Sequence, residues 1–177
     1  MDKKFILKLT IIGAIFVIIV GTVWHFIYEW SGKSVTVGLF APMNESVWEH
    51  LKLSTFPFLI FALIELYVLR KNRKNFWCAK AAESYLPVIF IPTVFYIYTS
   101  LAGHSILAVD ITTFAVAVIL GKMISYKLLT ADKRQPAALP LIFLVILWAS
   151  FILFTFRPPH LPPFEDPIEH RYGMANG

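Results

Sequence analysis

The chain has 177 residues, of which 58% are hydrophobic and only 15% charged, with a mean hydropathy of +0.68; ordinary soluble domains run at roughly 45–50% apolar and about 25% charged. A compact domain of this length has too little interior to hide that much apolar surface, so the excess must face lipid, which argues against a soluble enzyme or a disordered chain. The single cysteine, Cys78, excludes an internal disulfide framework, and the net charge of +5 sits in short basic clusters between apolar runs, as where loops meet a membrane and unlike a nucleic-acid binder.

Five runs are long enough to cross a bilayer core, which takes about 20 helical residues. They cover about 9–28, 51–69, 81–101, 105–126 and 137–156, followed by a proline-rich tail over 157–177. Helices are the expected structure, because backbone polar groups in lipid must be paired within their own segment. The first run follows Lys3, Lys4 and Lys8 like a signal peptide, but its apolar region exceeds the roughly 7–15 residues such peptides use. It also lacks a small-residue cleavage site and is read as a retained helix. Pro57, Pro87 and Pro92 interrupt the second and third runs.

The positive-inside rule sets the expected orientation. With the N-terminus inside, the inner segments hold Lys3, Lys4 and Lys8, then Arg70, Lys71, Arg73, Lys74 and Lys80, then Lys122, Lys127, Lys133 and Arg134. The outer side keeps only Lys33, Lys52, Arg157 and Arg171. The C-terminus is therefore expected outside. The expected fold is an all-α integral membrane protein, a single domain of five transmembrane helices in contact with the lipid bilayer.

This topology gathers His25, His50, His104, His160 and His170 at or beyond the outer boundary, with Glu29, Glu45, Glu49, Glu165, Asp166 and Glu169. His25 and Glu29, four apart, share a helix face. Ser46-Val47-Trp48-Glu49 fits the S-x-x-E capping box, with Asn44 as a competing cap, so a helix starts here and feeds the second span. Trp48 suits the headgroup level. Within a regular helix Glu45 and Glu49 would share a face, with His50 about 100° away. Imidazole with carboxylate is a donor mixture that zinc and other borderline divalent metals accept. The candidate metal ligands are His25, Glu29, Glu49, His50, His104 and His160, with Glu49 also the candidate general base. Asn44, Glu45, Trp48 and Asp110 are the candidate ligand-binding residues. The alternative for this stretch is a well-capped helix entry whose acidic first turn complements the helix dipole. No spacing matches H-E-x-x-H.

Five prolines between Arg157 and Pro167 forbid a helix and favour a stiff extended path, which either folds over the outer mouth as a lid or stays solvated. Three acids lie within the spans, and intramembrane acids default to functional candidates. Glu65 and Glu83 have Lys80, Lys122 and Lys127 at similar depth to pair with. Asp110, six residues past His104 and about 9 Å deeper, needs a hydroxyl partner such as Tyr96, Tyr98 or Thr99, a proton or an ion.

The block Val37-Gly38-Leu39-Phe40-Ala41-Pro42-Met43-Asn44-Glu45-Ser46-Val47-Trp48-Glu49-His50-Leu51-Lys52 resembles the signature of a bacterial domain-of-unknown-function family of small multi-pass membrane proteins. His25-Phe26-Ile27-Tyr28-Glu29-Trp30 and the Pro158-Pro159-His160-Leu161-Pro162 tail, with Asp166-Pro167 and Tyr172-Gly173, are similar to the same family. The likeness spans essentially the whole chain. Glu169-His170-Arg171 departs from its pattern, which sets His170 apart from the other histidines. The resemblance implies a location in the bacterial cytoplasmic membrane and no reaction.

Three functions follow as expectations. The first is an outer-face site for a divalent metal ion or polar ligand, which with a metal-activated water would make a membrane hydrolase. The second is a small transporter or channel component using Asp110, with Glu65 and Glu83 further along the path. The third is a non-catalytic membrane scaffold. A bundle this small also admits a homo-oligomer or a membrane partner protein.

Overall fold

The computed structural model describes residues 2–69 and 75–174. Arg70, Lys71, Arg73 and Lys74, which carry much of the expected inner charge, lie outside them. Asp2 caps α1 (Lys3–Trp30), its carboxylate accepting from the Lys4 amide at 3.0 Å. The cap extends the helix through the basic start, beyond the apolar run alone. Two short helices, α2 (Val35–Gly38) and α3 (Val47–His50), precede α4 (Lys52–Leu69). Next come α5 (Phe76–Ala102), α6 (Leu107–Leu129) and α7 (Ala138–Phe156). Among the described residues, five helices are long and apolar enough to cross a membrane, with α3 and α4 acting as one. Pro57, Pro87 and Pro92 sit inside α4 and α5 without ending either.

The tail is more structured than an extended proline path. A 3-10 turn over Pro162–Phe164 leads into a small antiparallel hairpin, β1 (Glu165–Asp166) with β2 (Arg171–Tyr172). Phe164 is buried, its ring tilted against that of Trp48 with centroids 4.9 Å apart, so this segment packs against α3. Apolar burial at Phe164 outweighs the solvation of the prolines around it.

Helices α5 and α6 form the closest pair, joined by a tight turn at Gly103, whose φ of +76° few side chains tolerate. α1 lies across α4 and α6, and α7 leans on α5. Gly21 allows the α1–α4 approach: a Cβ there would stand 2.4 Å from the Leu53 carbonyl oxygen.

Polarity runs from inside to outside. Lys52, Glu65, Glu83 and Lys122 are among the most completely buried side chains, while Ile12, Ile19, Leu63, Ile89 and Leu101 are exposed. A water-soluble bundle would do the reverse. Apolar helix faces of this kind are compatible with lipid contact.

At the end of the bundle away from the tail, Lys80 bonds both Glu65 and Glu83, reaching the latter at 2.5 Å. Lys122 stands 2.8 Å from Glu83 and 3.4 Å from Glu65. The two acids thus share two bases, and the four side chains come from three helices, α4, α5 and α6. Lys127, the third cation expected there, is exposed.

Candidate functional site

Where α3 begins decides which polar groups meet. Ser46 is its N-cap, and its hydroxyl accepts from the Glu49 amide at 3.3 Å. The reciprocal half of the capping box belongs to Asn44, whose Oδ1 accepts from the Ser46 amide at 3.0 Å. Glu45 therefore precedes the helix instead of sharing a face with Glu49, a correction to the helical placement. Freed from the helical screw, its carboxylate swings to His50, with Oε2 3.4 Å from Nε2.

His50, at the last position of α3, holds Nδ1 3.0 Å from the Ser46 carbonyl. A carbonyl only accepts, so Nδ1 donates there, and Nε2 is left facing the Glu45 carboxylate. His25, about one and a half turns before the end of α1, faces the same point, its ring 5.1 Å from that of His50. Its Nδ1 is buried with no hydrogen-bond partner among the described residues. One donor atom each from His25, Glu45 and His50 lies within 4.8 Å of the other two. Glu45 and His50 are both partly open to solvent.

Glu49 turns the other way. One of its oxygens accepts from the Met43 amide at 3.1 Å and from the Lys52 ammonium at 2.7 Å. Lys52 also donates to the Gly38 carbonyl at 2.8 Å and to the Thr155 hydroxyl at 2.7 Å. Lys52, counted from sequence as an outer rim charge, is wholly buried. Its partner one helical turn earlier makes that burial tolerable. This knot ties α2, the loop before α3, α4 and α7 together.

Residues 2–174 match the family of unknown function DUF6512. The chain belongs to that family. No curated protein and no solved structure matches it.

In this DUF6512 chain the remaining candidates lie apart from the triad. Glu29 pairs with Lys33 at 3.4 Å on the surface. His104 is exposed in the α5–α6 turn. The His160 ring rests on Tyr172 at 4.6 Å. Trp48 packs among Phe151, Phe154 and Phe164, at 4.7, 5.5 and 4.9 Å. Asp110 accepts from the Tyr98 hydroxyl at 2.5 Å, one of the partners expected for it. Ile106 is extended and α6 starts at Leu107, which places Asp110 in the first turn of that helix.

Sequence reasoning overlooked Thr155, and it named Asp166 and Gly173 in the family likeness, with Asp166 also in the outer acidic group, without giving either a role at the site. Thr155 completes the Lys52 knot. Gly173 accepts from the Asn44 amide group at 3.3 Å, and Asp166 from the Glu45 backbone at 3.3 Å. The one available signal was Lys52 itself, a cation three residues after an acid at the mouth of an apolar helix.

Proposed function

We propose that this protein spans the membrane five times, N-terminus inside and C-terminus outside, and holds one divalent metal ion at the outer rim through His25, Glu45 and His50. The carrying observation is the convergence of the three donor atoms within 4.8 Å. Ligands about 2.1 Å from a tetrahedral zinc ion lie about 3.4 Å from one another, which is the separation of His50 Nε2 from Glu45 Oε2. The Nδ1 contact of His50 with the Ser46 carbonyl is the outer bond that orients a metal-binding imidazole. The unpartnered Nδ1 of His25 fits a residue whose partner is an ion.

Two histidines and one glutamate are the ligand set of zinc sites that keep a position open for water. A zinc ion held there would supply a metal-bound hydroxide near neutral pH, the chemistry of a hydrolase at the membrane surface. The geometry gives Glu49 to Lys52, so this reading assigns it no role as base.

Elemental analysis of protein purified in detergent through a histidine-free tag tests the site. One equivalent of zinc in the wild type, reduced to background in His25→Ala, His50→Ala and Glu45→Gln, is the expected result. Negligible zinc in all four after incubation with the metal overturns it. The transporter reading draws less support. Tyr98, the partner of Asp110, is about 22 Å along α5 from Glu83 at 1.5 Å per residue.

A further inference from the structure

The backbone of Glu45, and not only its side chain, is gripped from a residue 121 positions away. Asp166 is 2% exposed, and its Oδ2 accepts from the Glu45 amide at 3.3 Å. Its Oδ1 accepts from the Ile168 and Glu169 amides at 2.9 and 3.2 Å, so the same carboxylate shapes the hairpin and touches the site. Next door, Asn44 donates to the Gly173 carbonyl and accepts from the Ser46 amide. Ser46 in turn offers its carbonyl to His50. Two consecutive residues, Asn44 and Glu45, thus bond the C-terminal segment directly, and Ser46 is tied to it through Asn44; two of the three donor groups take their aim from this stretch. Phe164 against Trp48 supplies the apolar anchor.

From this geometry we infer that Asp166 is a positioning residue for the metal site, and that hairpin docking and metal binding favour each other. The inference rests on the metal reading above. An undocked hairpin leaves Glu45 on an untethered loop, and ordering that loop then costs part of the binding energy. By linkage, an ion that needs Glu45 in place must equally favour the docked hairpin. Occupancy of the site is then legible at the tail, on the surface where another molecule would meet it.

The experiment has two arms, both on the full chain in detergent. Zinc affinity is titrated against a chromophoric chelator for wild type, Asp166→Ala, Asp166→Asn and His25→Ala. Tryptic cleavage after Arg171 is followed by mass with and without zinc; Arg157 is shielded from trypsin by Pro158. Asp166→Ala is expected to bind on the order of tenfold more weakly, as outer-shell changes do. Asp166→Asn keeps one acceptor oxygen where the carboxylate offers two to opposed amides, so it is expected to recover only part of the affinity. Zinc slows cleavage in the wild type and leaves the His25→Ala rate unchanged. The cleavage arm compares chains with an intact hairpin, so it decides the matter even if Asp166→Ala does not fold. Wild type that binds zinc while Asp166→Ala binds as tightly, or while zinc leaves its cleavage unchanged, overturns the coupling alone. Wild type that binds no zinc overturns the metal reading and the coupling with it.

Discussion

The Lys52 ammonium stands 2.7 Å from the Glu49 carboxylate, three residues apart, and neither side chain is more than 4% exposed. A buried pair of this kind gains little over apolar residues of equal size, yet removing one partner strands a charge. The pair therefore couples α3 to α4 and, through Thr155 and Gly38, to α7 and α2.

Glu49→Leu or Lys52→Met alone is expected to cost roughly 3–5 kcal/mol, the penalty for an uncompensated buried charge. The double variant should cost clearly less than the two singles added together. Unfolding in detergent measures all three, and strict additivity would show that the two charges do not depend on each other.

The Glu65–Lys80–Glu83–Lys122 group sums to zero charge, and each base meets both acids. Glu83→Gln leaves one positive charge in excess, whereas Glu83→Gln with Lys122→Met restores neutrality. A coupling energy of about 0.5–3 kcal/mol between the two changes is expected, as for neighbours in one network. A double variant as unstable as the sum of the singles would contradict it.

Gly21→Ala should lower the thermal midpoint, because the new Cβ meets the Leu53 carbonyl, a backbone atom that cannot swing aside. Overpacking of this kind costs about 1–3 kcal/mol. Ile19→Ala, two residues away on an exposed face, should change the midpoint far less. Equal shifts for the two would mean that α1 and α4 do not meet at Gly21.

Reporters fused to each end should read opposite sides of the membrane, active inside at the N-terminus and outside at the C-terminus. Both on one side would remove the rim at which the metal site is proposed, although the His25–Glu45–His50 geometry would stand.

Much of the architecture is legible from run length. A helix that is to cross lipid must stay apolar for about 20 residues, and that requirement leaves its mark along Leu107–Leu129, broken by few charges, and along the uncharged Ala138–Phe156. Lys80 and Lys122 as partners for Glu65 and Glu83 are legible too, because an intramembrane acid needs a cation at its own depth. Site membership is not. Glu45 and Glu49 are chemically alike and both lie near an imidazole in sequence. Only the placement of the Ser46 cap puts the first outside the helix and the second inside it.

The order of residues alone settled that this is a helical chain with five apolar stretches and its histidines gathered toward one set of loops, since those properties follow from composition along the backbone. Tertiary structure decided which carboxylate reaches His50, which lysine disappears into the interior, and that a hairpin from the far end of the chain holds Glu45 in place. Those outcomes depend on competition among hydrogen-bond partners within a few ångströms, and sequence spacing carries no measure of such distances.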